Sequence, residues 1–221
     1  MLIESVCNPA SMTSFARAER ARLCDLALET GPDAPTLCGD WTVRELVAHL
    51  VIRETSPLSA GIVVPPLAGV TERATARAAE KSFEKQVSKV RRARNPMGAV
   101  RAIDSALNTS EYFVHHEDIR RAAPGWEPRT LTPDEQDALW RIVRVSGKGL
   151  IRPAGVPVVA RRSDTGVTTT LKPGADPVTI TGEPQELLLF IYGRRQTHGL
   201  EFDGPEDSVC LLYTSPSPRD S

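Results

Sequence analysis

Apolar residues recur at helical spacing from the start of the chain to about residue 150, then give way to short alternating runs. The first helical pattern runs from Thr13 to Glu29, with Phe15, Leu23 and Leu26 apolar, and stops at Gly31-Pro32. After a loop holding Pro35 and Gly39 comes a complete start signal. Thr42 can cap, Glu45 follows three residues later, and Trp41 can close over Leu46 as a hydrophobic staple. The stripe of this second helix is Val43, Leu46, Val47 and Leu50; it carries His49 beside that stripe and ends near Pro57, before a linker reaching Val70. Thr71 to Arg94 reads as one charged helix with Phe83, Val87 and Val90 facing inward. Asn95-Pro96, a cap followed by proline at the first helical position, opens a long helix to Arg121. Thr132, Pro133 and Glu135 open another, running through Leu139, Ile142 and Val143 to Leu150.

Beyond Pro153 the period becomes that of strands. Val156 to Arg161 and Val167 to Leu171 flank the turn sequence Ser163-Asp164-Thr165-Gly166, a hairpin, and Val178 to Thr181 offers a further strand. Pro184 to Thr197 reads as a helix with Leu187 to Ile191 buried and Gly199 as its left-handed end. The fold class expected is mainly α, a helical bundle over residues 12–150 followed by a small α+β unit over 154–209. Residues 1–11 lack periodicity and 210–221 run into a Ser- and Pro-rich tail, so both ends read as foreign to the fold, an upstream extension and a readthrough or cloning scar.

Composition narrows the partners. With 27 basic and 28 acidic residues the net charge is −1, so no overall field recruits nucleic acid or an anionic membrane. The basic cluster from Lys81 to Arg94 lacks interleaved aromatics and reads as a solvated helix face. No apolar run approaches the roughly 18–20 residues of a membrane span, and no signal peptide opens the chain. The expectation is a cytoplasmic protein. Cys7, Cys24, Cys38 and Cys210 have neither zinc-knuckle nor redox-pair spacing, so disulfides are not expected; Cys24 reads as a packing residue, and Cys38 lies in a loop.

Two ionisable groups continue an apolar stripe on the long helix. Val100, Ile103, Leu107, Glu111 and Val114 share a face, with His115 one turn beyond Glu111. Burying such groups unpartnered is costly. At i and i+4 they stand about 6 Å apart on one face, which suits a mutual hydrogen bond at the stripe's margin or two ligands of one ion. His116 is turned about 100° from His115 and reads as a surface residue or a support to the site rather than a ligand. Asp118, a turn beyond His115, reads as a group orienting that imidazole or as a surface carboxylate. Arg194 and Arg195 are candidates to clamp a carboxylate of substrate or cofactor, with a structural role as the alternative.

The stretch Trp41-Thr42-Val43-Arg44-Glu45-Leu46-Val47-Ala48-His49-Leu50, followed later by Glu111-Tyr112-Phe113-Val114-His115-His116-Glu117-Asp118-Ile119, resembles the metal-binding domain of mycothiol-dependent maleylpyruvate isomerases, part of the DinB-like four-helix superfamily. Thr181-Gly182 and the run from Glu186 to Arg195 resemble the small C-terminal segment of that family. The resemblance implies a DinB-like four-helix bundle with a divalent metal on His49, Glu111 and His115. Zinc is the expected ion, although such a donor set also accommodates nickel, iron or manganese. Three N/O ligands leave an open position, as in catalytic sites, where a bound thiol is deprotonated. Mycothiol is the thiol implied and a small molecule the substrate, for an isomerase or transferase reaction. A metal sensor or accessory protein without turnover, and a metal-dependent hydrolase, are the alternatives.

Overall fold

The computed structural model describes residues 9–55, 68–92 and 101–214, with side chains described over a slightly narrower range. The chain divides into two compact units, Thr13–Glu127 and Pro128–Ser221. The first holds α1 (Pro9–Thr30, most of its length), α2 (Val43–Thr55), α3 (Ala68–Ala79), α4 (Phe83–Arg92) and α5 (Arg101–Arg120). Four of these share one core: Leu23, Cys24 and Ala27 of α1, Val43, Leu46, Val47 and Leu50 of α2, Phe83, Val87 and Val90 of α4, and Tyr112 and Ile119 of α5. A four-helix bundle results, with apolar stripes turned inward as the 3.6-residue period demands. The fifth helix, α3, lies on α2 through Ala78 and Ala79 against Ala48. That added layer covers α2 at Ala48 and Ile52, whereas His49 turns toward α5.

Local signals explain the boundaries. Thr42 N–H donates to Glu45 Oε2 at 2.9 Å and the two side chains are also bonded, so the start of α2 is fixed by the expected Thr–Glu pair. The single helix expected over Thr71–Arg94 is instead two. Lys81 N–H bonds back to Ala78 O, the chain bends at Lys81, and the Ser82 hydroxyl donates to Glu84 at the first turn of α4. Serine offers the backbone an alternative to the helical ladder, which a reading of apolar period does not register. α1 starts at Pro9 rather than Thr13, because proline is tolerated at the first helical position. The expected Asn95-Pro96 cap and Val100 lie outside the described residues, as do the side chains of Ile103 and Leu107.

The second unit is built on α6 (Pro133–Leu150), capped by Thr132 and Glu135 in a reciprocal pair. A sheet follows, of β1 (Val158–Arg162), β2 (Thr168–Lys172), β3 (Val178–Gly182) and β4 (Glu201–Asp203), in the order β2-β1-β3-β4. β1 and β2 form the expected antiparallel hairpin, whereas β1 and β3 run parallel. Val158 and Ala160 of β1, and Val178 and Ile180 of β3, alternate into the core. α7 (Pro184–Ile191) packs on α6 and β3, tied by Gln136, which donates to Glu183 and accepts from the Gln185 N–H.

The helix expected to reach Thr197 ends at Ile191. Gly193 takes φ 83° and its N–H bonds Phe190 O, while Arg194 N–H bonds Leu189 O. That pairing is a Schellman close, and it comes six residues before Gly199. β4 and α8 (Glu206–Thr214) were not anticipated. α8 includes residues 210–214 of the tail set aside above, with Leu212 buried and the Tyr213 ring against Phe190 and Phe202. Among the described residues no helix is long and apolar enough to cross a membrane.

Candidate metal centre

Residues 112–119 of α5 are buried without interruption, although His115, His116, Glu117 and Asp118 are ionisable. Each of them must find a partner, since an isolated buried charge is prohibitive. His116 Nδ1 lies 3.1 Å from Glu19 Oε2 of α1, whose other oxygen accepts from Arg22 at 2.7 Å. Glu117 accepts from Arg120 at 3.0 Å and from Arg121 Nε at 2.6 Å. The first pair ties α1 to α5, and the second lies within α5 and the residue after it.

His115 and Asp118 differ. His115 Nδ1 lies 2.9 Å from Asp118 Oδ2, and both side chains are fully buried. An ionised carboxylate only accepts hydrogen bonds, so the proton of this contact belongs to Nδ1. The other ring nitrogen, Nε2, points to Glu111 Oε2 at 3.5 Å, and His49 Nε2 from α2 stands 4.0 Å from the same oxygen. His49, Glu111 and His115 each offer one ligand atom, all within 4.8 Å of one another. Two imidazole rings and a carboxylate, drawn from two helices, therefore face one point inside the bundle. The rings of His49 and His115 sit edge to face at 5.5 Å, and Trp41 packs on His49 at 5.3 Å.

Glu111 Oε2 is buried and completes no hydrogen bond; its nearest nitrogens, including Arg53 Nε at 3.5 Å, stand beyond a well-formed bond. Burial alone would raise this carboxyl, but the imidazoles of His115 and His49 and the Arg53 guanidinium outweigh it and hold it well below the usual carboxylate range. With Nδ1 committed to Asp118, a neutral His115 would aim a lone pair at the Glu111 carboxylate. Something positive belongs between them, either a proton on Nε2 or a metal ion shared by both. Two atoms each bound about 2.1 Å from one tetrahedral ion stand about 3.4 Å apart; His115 Nε2 and Glu111 Oε2 are at 3.5 Å, and His49 Nε2 stands wider, at 4.0 Å from that oxygen.

Arg194 and Arg195 belong to the other compact unit. Arg194 is buried and its Nη1 donates to Tyr192 O at 2.8 Å, while the Arg195 guanidinium lies over the Phe190 ring at 4.9 Å and the Tyr213 ring at 5.7 Å. Those contacts hold the residues that follow α7. Three contributors to the centre were not singled out as such in the sequence. Arg53 is four residues beyond His49 on α2, a helical spacing that would have shown it. Trp41 was read only as a staple. Cys38 places Sγ 2.9 Å from Asp118 Oδ2 and 3.7 Å from His115 Nδ1, across a separation that no local pattern reveals.

Fold and site together define a helical-bundle protein whose first unit brings together three residues that could hold a metal ion. Residues 14–145 match the mycothiol maleylpyruvate isomerase N-terminal domain, and the chain belongs to that family. Two solved structures share the fold. One is a histidine-to-alanine mutant of the mycothiol-dependent maleylpyruvate isomerase, at 14% identity and a TM-score of 0.61, covering 92% of this chain and 96% of that one. The other is the same isomerase without that mutation, at 14% identity, TM-score 0.56 and the same coverage. No curated protein sequence matches the chain significantly.

Proposed function

We propose that the protein is a cytoplasmic, divalent-metal-dependent enzyme that uses a small thiol, mycothiol in the first instance, to isomerise or transfer a group on a small molecule. The observation that carries this reading is the convergence of His49, Glu111 and His115 on one buried point. Family membership and the fold shared with mycothiol-dependent maleylpyruvate isomerase supply the thiol. In this reading His49 Nε2, Glu111 Oε2 and His115 Nε2 hold zinc or a related ion. Such an ion, when bound by three N/O ligands, keeps a position open and lowers the pKa of a thiol that enters it, which supplies a nucleophile at neutral pH.

The chain's own residues prepare that position. Glu111, kept ionised by its neighbours, provides the negative charge that offsets the ion. Asp118 holds the Nδ1 proton of His115 and so directs Nε2 inward. Trp41 covers one side of the His49 ring, limiting rotation and access of water. Arg53, within 3.5 Å of Glu111 Oε2, steadies the carboxylate from the side away from α5.

The test is metal content and thiol response. Purified protein is expected to bind one equivalent of zinc or cobalt, and His49→Ala, Glu111→Ala and His115→Ala to lose it. Unchanged stoichiometric binding in all three variants would overturn the site. Titration of the cobalt-loaded protein with mycothiol should then change its visible spectrum. No change with mycothiol or any other thiol would move the reading to a sensor or a hydrolase.

A further inference from the structure

The loop between α1 and α2 reaches both imidazoles of the candidate centre. Cys38 Sγ donates to Asp118 Oδ2 at 2.9 Å, the same oxygen that faces His115 Nδ1 at 2.9 Å. Two donors thus converge on one carboxylate oxygen. One residue earlier, Leu37 N–H bonds Asp118 O at 3.0 Å, so the loop grips Asp118 by backbone and side chain alike. The loop is itself braced. Thr36 Oγ1 donates to Trp41 O at 2.7 Å and accepts from Cys38 N–H at 3.1 Å, and Trp41 N–H bonds Cys38 O at 3.2 Å. At its far end the Trp41 ring rests on His49. Residues 36–41 therefore touch His49 through Trp41 and reach His115 both directly, with Cys38 Sγ 3.7 Å from Nδ1, and through Asp118.

We infer that residues 36–41 act as a clamp that sets both histidines, and that Cys38 is a positioning residue whose thiol holds the Asp118 carboxylate in the orientation that keeps the proton of His115 on Nδ1. Without the thiol, Asp118 Oδ2 loses the Cys38 donor and the carboxylate is held less firmly about its terminal torsion, a broad and soft one. His115 then no longer has a fixed tautomer, and Nε2 is a lone-pair donor toward Glu111 for only part of the time. Serine keeps a donor at the same place and should preserve the relay; alanine removes it. The thiol in this role is neither nucleophile nor ligand, and its half-buried place 2.9 Å from Asp118 Oδ2 suits a fixed donor.

The inference rests on the proposed metal site, but one of its consequences does not. In the metal-free protein, nitrogen-correlated NMR of the His115 ring reports which nitrogen carries the proton. Wild type and Cys38→Ser are expected to show the Nδ1–H form, and Cys38→Ala and Asp118→Asn a mixture or the other tautomer. In the loaded state, cobalt affinity is expected to fall about tenfold in Cys38→Ala and to be restored in Cys38→Ser, the size of effect seen when groups supporting a ligand are removed. Combining Cys38→Ala with Asp118→Asn should add little to either alone, because both act through one contact. An unchanged tautomer in Cys38→Ala, or equal losses in Cys38→Ala and Cys38→Ser, would overturn the relay. A fixed tautomer in a wild-type protein that binds no metal would instead sink the metal reading and leave the clamp standing.

Discussion

At the scale of single residues, the centre is a problem in where protons and lone pairs lie. Glu111 is ionised because three positive or proton-bearing neighbours outweigh its burial. Its folded-state pKa lies below the unfolded value, so the folded chain binds fewer protons than the unfolded one. This stabilisation is complete above the usual carboxylate range and is lost as pH falls through the depressed folded value. Urea unfolding of the metal-free protein should therefore show a shallower loss of stability on acidification in Glu111→Gln than in wild type. Metal affinity should also fall on acidification, because protons compete for the imidazoles, and binding should release protons measurable in a lightly buffered titration. Cys24 behaves oppositely. Burial, only partly offset by Arg91 and Arg20, pushes its thiol up to about 11, and it sits against Val87 in the core. A thiol reagent at mildly alkaline pH should label exposed Cys210 quickly and leave Cys24 unmodified until the chain unfolds.

At the scale of elements, the helix starts followed from local chemistry and the helix ends less so. Thr132 and Glu135 exchange side-chain and backbone bonds, and Glu45 accepts from both the N–H and the hydroxyl of Thr42, all within three residues, so the residues alone announce them. Thr132→Ala should destabilise the protein by about 1 kcal/mol, read as a lower urea midpoint with an unchanged slope. The end of α7 depended on which of two glycines closed the helix. Gly193 does so at φ 83° because Tyr192, Gly193 and Arg194 can return their N–H groups to the last turn there. Gly193→Ala should cost about 1 kcal/mol through the left-handed backbone. The break between α3 and α4 was missed because Phe83, Val87 and Val90 keep helical spacing on one side of it, while the interruption lies in the polar residues Glu80 to Ser82. β4 escaped notice because three residues, two of them acidic, carry no strand signal; pairing with β3 alone makes it a strand.

At the scale of the whole molecule, binding that favours the folded state should raise its stability. Zinc at about a hundred times its dissociation constant is expected to add roughly 2.7 kcal/mol, seen as a higher melting temperature in wild type and absent in His49→Ala. An equal rise in both would mean that the ion binds elsewhere. The sequence by itself determined the order and type of most elements, and the placement of Glu111 and His115 on one helix face, since these follow from periodicity and capping within a few residues. Its resemblance to a metal-binding family added His49. Tertiary structure alone decided that His49 of α2 meets Glu111 and His115 of α5, and that a loop some eighty residues earlier in the chain delivers Cys38 to Asp118. The division of α6 to the second unit was equally out of reach of local pattern, because the same amphipathic stripe would suit a bundle or a sheet. Local signals fix which way a side chain faces on its own helix; what meets it there depends on contacts between segments far apart in sequence, and those are chosen only when the whole core packs.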